Sequence, residues 1–165
     1  HSKGIAHKVL FYEKFFLYVS PRHPWYLQED VTQKELEDAD LWLLREGNCF
    51  RSQTNDICQR QQNRLRHENL VYESTSIQSL MRIVEHEEGV TLIPELATLA
   101  VSSEQESMLK SIKGRKSVRE ISLVYNRNFF RGKLLDKLQH SIQHHVPGHM
   151  LNADQAEVID SFVRL

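Results

Sequence analysis

Short apolar runs of strand length alternate with stretches of helical period along this chain. That alternation restricts the fold more than any other feature of the sequence. Val9-Leu10-Phe11-Tyr12 and Phe15 to Val19 read as strands, and His23-Pro24-Trp25 breaks the run. Thr32-Gln33-Lys34-Glu35 has the form of a capping box and opens a short helix. Leu41 to Leu44 reads as a buried strand, Arg51 to Leu65 as a helix and Val71 to Ser74 as a strand. Ser76 to His86 is an amphipathic helix with Ile77, Leu80, Met81 and Val84 on one face. Val90 to Ile93 is a strand ended by Pro94, with a short helix to about Ala100. The stretch 102–118 is polar and loop-like, apart from a strand near Leu109 to Ile112. Glu120 to Tyr125 is a further strand, and Phe130 to Val146 is a helix stopped by Pro147-Gly148. Asp154 to Val163 makes a last helix. The pattern predicts an α/β fold with parallel strands.

Apolar residues at 40% and charged residues at 26% of 165 suffice for a core. That length suits one α/β domain or part of a two-lobed one. A formal net charge of −1 gives no electrostatic case for nucleic-acid binding by this stretch alone. Phe15 to Val19 is a short apolar run with charged flanks, not a signal peptide, and nothing approaches the apolar length of a membrane span. The chain opens with histidine, so a piece of a longer cytoplasmic protein is expected.

The chain has two cysteines, Cys49 and Cys58. Their spacing is too wide for a C-x-x-C redox motif, and two thiols are too few for a closed zinc site. Were 50–58 one straight helix, the two Cα atoms would stand about 13.5 Å apart. A disulfide tolerates at most about 7 Å, so bridging the pair would require the helix to unwind. Closing a ring of that size restricts the unfolded chain by about 2.5–3 kcal/mol. Cys49 follows a Gly47-Asn48 break and opens the helical segment, a position that lowers a thiol pKa. Arg51 could add a cation. A thiolate there would react with peroxide to a sulfenic acid that a second thiol can capture. The plain alternative is a pair of small buried hydrophobes.

The run Leu43-Leu44-Arg45-Glu46-Gly47-Asn48-Cys49-Phe50-Arg51-Ser52-Gln53 through Cys58 resembles the peroxide-sensing segment of the OxyR branch of LysR-type transcriptional regulators. His23-Pro24-Trp25, Thr75-Ser76-Ile77-Gln78-Ser79-Leu80, Gly89-Val90-Thr91-Leu92-Ile93-Pro94-Glu95-Leu96-Ala97 and Leu123-Val124-Tyr125 resemble the family's other segments, in the same order. The proline turn is common to LysR-type effector domains; the cysteine segment is specific to the peroxide-sensing branch. The resemblance runs from about residue 9 to residue 146. It implies a two-subdomain, periplasmic-binding-protein-like effector domain that lacks the first part of subdomain I. Residues 1–20 would lead into subdomain II, 21–118 would form it, and 119–165 would return to subdomain I.

By the same resemblance Cys49 is peroxidatic, Cys58 is resolving, and Gly47, Asn48 and Arg51 surround the thiolate and the peroxide. Asn48 stands where the family usually has histidine. An amide cannot carry a proton as imidazole does, though it can orient a peroxide. The stretch from Cys58 to Thr75 is a few residues longer than the family pattern. Hydrogen peroxide is the implied partner, with a homodimer or tetramer, DNA through a helix-turn-helix segment not seen in this sequence, and RNA polymerase. No cofactor, metal, membrane or enzymatic turnover is implied.

Other polar clusters favour plain readings. His140, His144, His145 and His149 bunch near one helix without a clear third ligand, so a solvated face is expected. Arg60, Arg64, Arg66 and His67 are offset by Asp56 and Glu68. Two alternatives stay open: a metabolite-binding LysR-type effector domain with structural cysteines, and a thiol peroxidase-like enzyme.

Overall fold

The computed structural model describes residues 4–39, 41–44, 49–58, 76–114, 116–154 and 156–159, Cys49 by its backbone. The strands are β1 (Ile5–Val19), β2 (Asp30–Thr32), β3 (Val90–Pro94), β4 (Leu109–Lys113), β5 (Ser117–Asn126) and β6 (Glu157–Ile159). The helices are α1 (Gln33–Asp38), α2 (Cys49–Ile57), α3 (Ile77–His86), α4 (Glu95–Thr98) and α5 (Gly132–His145). β1 organises them all. Its 15 residues extend about 50 Å at the rise of a β-strand. Ile5 to Lys14 pair antiparallel with β5. Phe15 to Val19 pair antiparallel with β3, and Leu17 and Tyr18 also with β4. β2 joins β4 and β6 joins β5, both in parallel. Val9 faces Ser122 and Phe11 faces Ile121, so Leu10 is the extra residue of a bulge.

β1 is sided where it meets β5 and buried on both faces where it meets β3 and β4. Leu17, Tyr18 and Val19 are fully buried. On one side Phe15, Leu17, Leu36, Phe50, Ile57, Cys58, Leu80 and Leu92 form a single apolar cluster joining α1, α2 and α3 to the sheet. On the other, Tyr18, Met81, Val84, Ile93 and Met108 form a second. Tyr18 is buried there and donates to Glu85 at 2.8 Å; burial first, then that bond, pushes its phenol well above the usual range. Leu10, Phe11 and Met150 make a third cluster under α5.

The expected α3, β3, α4, β4 and α5 are present within a residue or two. So is the capping box, with the Thr32 hydroxyl and Glu35 carboxylate each satisfying the other's backbone. Four expectations change. The sheet is mostly antiparallel, because β1 pairs antiparallel with each of its three neighbours. The two strands expected at 9–12 and 15–19 are one strand, since the charged Glu13 between them is matched across the ladder rather than exposed. Leu41 to Leu44 is not a strand: only Leu44 bridges, and the segment is pinned by Trp42 N–H donating to Val90 O and the Thr91 hydroxyl donating to Trp42 O. In place of the described part of the last helix stands β6 over 157–159, and positions 160–163 of that expectation lie outside the described residues. Asp154 adopts φ 48, a left-handed turn that a helix cannot contain, and the chain then adds to the β5 edge. The helix expected to Leu65 runs to Ile57, with Cys58 in the turn that follows; residues 59–65 and the strand at Val71 to Ser74 lie outside the described residues.

Candidate functional site

Nine residues are too few for a helix to persist alone in water, so α2 depends on what packs around it. Phe50, Gln53, Thr54, Ile57 and Cys58 recur at helical spacing and are all buried. Cys58 N–H donates to Thr54 O at 3.0 Å, which carries the helical path to the second cysteine. The Thr54 hydroxyl donates back to Phe50 O at 2.9 Å. At the end of α2 the Gln33 side-chain amide donates to Ile57 O at 2.5 Å, so a carbonyl of the last turn is bonded from α1.

The start of α2 is held by two arginines. Arg51 Nη1 donates to Leu44 O at 3.0 Å and ties the helix to the chain at Leu44. The Arg119 guanidinium, from β5, lies 5.2 Å from the centroid of the Phe50 ring, and the Phe15 ring, from β1, lies 5.7 Å from it. Arg119 is oriented by Glu13, which is 1% exposed and opposite it in the β1–β5 register. The segment leading to the loop is fixed further back. Trp42 packs so closely on Gly89 that a Cβ at residue 89 would stand 2.3 Å from the indole nitrogen.

Cys49 occupies the first position of α2, and Cys58 follows its last residue as a buried thiol, 1% exposed. A continuous helical path of nine steps separates their Cα atoms by about 13.5 Å, beyond the roughly 7 Å that a disulfide spans. Arg51 is placed on Leu44. Gly47 and Asn48 lie outside the described residues. Glu13, Phe15, Gln33 and Arg119 escaped the sequence reading. The signal for the first was available: an acid inside an apolar strand run needs a partner, and a cross-strand arginine is a common one. A cleft of about 730 Å³ opens beside Leu44, Phe50, Ser76, Ile77, Pro94 and Arg119. Among the described residues no three His, Cys, Asp or Glu side chains come together as a metal site.

The family model for the LysR substrate binding domain matches residues 1–146. The hydrogen peroxide-inducible genes activator of Haemophilus influenzae is 30% identical over 116 residues, which are 70% of this chain and 38% of that protein. The DNA-binding transcriptional dual regulator OxyR of Escherichia coli K12 is 26% identical over 148 residues, 90% of this chain and 48% of that protein. The chain therefore spans less than half the length of these two curated relatives. Among solved structures, reduced OxyR from Porphyromonas gingivalis superposes with a TM-score of 0.82 at 30% identity, over 96% of this chain and 72% of that one. This chain belongs to the family of LysR substrate-binding domains, on its OxyR-like branch.

Proposed function

We propose that this chain is the peroxide-sensing part of a LysR-type transcription regulator, switched by a reversible Cys49–Cys58 disulfide. One observation supports this most: a short helix separates the two cysteines, with Cys49 at its first position and the Cys58 thiol buried at its far end. The first helical position favours thiolate over thiol, since the positive end of the helix dipole lies there. The Cys49 thiolate attacks one peroxide oxygen, the O–O bond breaks, and the departing hydroxide takes a proton to leave as water. Cys49 is then a sulfenic acid. The sulfur of Cys58 attacks the Cys49 sulfur, the S–O bond breaks, and a second water leaves. That second step needs the sulfurs in contact, so α2 must unwind between them. A thiol reductant reverses the change.

The relatives' printed names, peroxide-inducible gene activators and a DNA-binding regulator, support the rest of the reading. The whole protein acts as a cytoplasmic homodimer or tetramer, binds DNA through a helix-turn-helix domain and acts on RNA polymerase. Residues 21–118 form the subdomain that carries the switch, and β1 and β5 are the strands that cross to the other. The chain senses rather than serves as a peroxidase, so with excess thiol and peroxide consumption should be held to the slow rate at which the thiol reduces the disulfide. A second reading has one observation in its favour. The cleft beside Phe50 and Arg119 is large enough for a small metabolite, which would make the cysteines structural.

Stoichiometric peroxide followed by thiol trapping and mass mapping tests the proposal. The protein should acquire one Cys49–Cys58 disulfide, Cys58→Ser should stall at a sulfenic acid on Cys49, and Cys49→Ser should stay reduced. A peroxide response that survives in Cys49→Ser would move the function to the cleft.

A further inference from the structure

Glu13 is buried in the middle of β1, where an ionised carboxylate persists only if it is paired and hydrogen-bonded. Its Oε1 accepts from Arg119 Nε at 2.6 Å and also from Nη2. Its Oε2 accepts from the Leu96 backbone N–H at 3.1 Å. The carboxylate therefore fixes the plane of a guanidinium whose side chain is only 17% exposed. That guanidinium sits over Phe50, the residue that follows Cys49. Phe15, two residues along β1 from Glu13, supplies the ring beside it. Phe50 is thus gripped by a cation from β5 and a ring from β1, and the Glu13–Arg119 pair locks the two strands together at that level.

We propose that Glu13 is a positioning residue of the cysteine switch. It holds Arg119 over Phe50, and the grip of β1 and β5 on the first turn of α2 sets the balance between the helical dithiol and the unwound disulfide. The proposal rests on the disulfide reading above. The physical basis is linkage: contacts present only in the helical form oppose disulfide formation, and disulfide formation must weaken those contacts by the same factor. Because the contacts join β1 to β5, unwinding α2 frees the two long strands from a shared constraint.

The test is the equilibrium constant for Cys49–Cys58 disulfide formation against a glutathione redox buffer, in which oxidised glutathione takes up the two electrons and two protons. It is measured on the whole protein, on Glu13→Gln, on Phe50→Leu and on the double variant, with thermal melting alongside. Phe50→Leu keeps an apolar side chain in the core and leaves the ion pair intact, so it reports even if Glu13→Gln folds poorly. A cation–ring contact of this kind should shift the constant toward the disulfide by about two- to fivefold in each single variant. The double variant should shift it by less than the product of the two, because both remove one shared contact. A lowered melting temperature with an unchanged constant in both single variants would overturn the proposal and leave Glu13 purely structural. Absence of any Cys49–Cys58 disulfide in the unsubstituted protein would instead overturn the underlying reading, and this proposal with it.

Discussion

Arg51 donates from Nη1 to the carbonyl oxygen of Leu44 at 3.0 Å, tying the first turn of α2 to the chain seven residues earlier. The bond is buried, and both residues are under a tenth exposed. Arg51→Ala should therefore leave a buried carbonyl unsatisfied and cost about 1–3 kcal/mol in chemical denaturation. The variant also loses a cation from the first turn of α2, so the pH midpoint of Cys49 alkylation should rise and the rate near neutral pH should fall. An unchanged midpoint would assign Arg51 to structure alone.

Gln33 caps the other end of α2 through Ile57 O. Removing one such bond costs about 1 kcal/mol, a factor near five in an equilibrium between helical and frayed ends. Gln33→Ala should speed closure of the disulfide once Cys49 is a sulfenic acid, without changing the rate of the first oxidation. Stopped-flow fluorescence with mass trapping separates the two steps.

Gly89 lies against the Trp42 indole, with no room for a methyl group. Gly89→Ala should cost about 1–3 kcal/mol through overpacking. The thermal midpoint should fall by several degrees, and Trp42 fluorescence should report the displaced segment ahead of the cysteine loop.

His23 accepts the Trp25 N–H on Nδ1 at 3.2 Å at the start of the Pro24–Leu27 turn. Burial lowers its pKa from 6.5, partly opposed by Glu88. The unfolded chain thus binds this proton more readily than the folded one. The contribution to stability is complete above the unfolded value of 6.5 and is lost as pH falls toward the lower folded value. His23→Asn should flatten the dependence of unfolding free energy on pH in that window, as measured by urea titrations across it.

Local patterns carried the legible part of the fold. The Thr32–Glu35 box, the apolar face of α3 and the Pro94 stop depend on neighbours in sequence, and each is found where the pattern puts it. Pairing direction depends on distant partners. Alternating strands and helices suggested a parallel sheet, yet β1 meets β3, β4 and β5 antiparallel. Glu13 fell between two expected strands because Arg119, its cross-strand neighbour, lies 106 residues away. At the site, the cysteine spacing and the helix between the cysteines were visible in the sequence. The groups that hold that helix were not, because Arg119, Phe15 and Gln33 reach it only through the fold.

The switch requires that α2 exist in the dithiol and be lost in the disulfide, since about 13.5 Å of helix cannot fit within a bridge of about 7 Å. Amide hydrogen exchange across residues 50–58, before and after one equivalent of peroxide, measures this directly. Protection of Gln53 to Cys58 in the reduced protein, and its loss on oxidation together with a mapped Cys49–Cys58 disulfide, is the predicted result. Equal protection in the two states, with the disulfide formed, would contradict it and make the pair a simple clip.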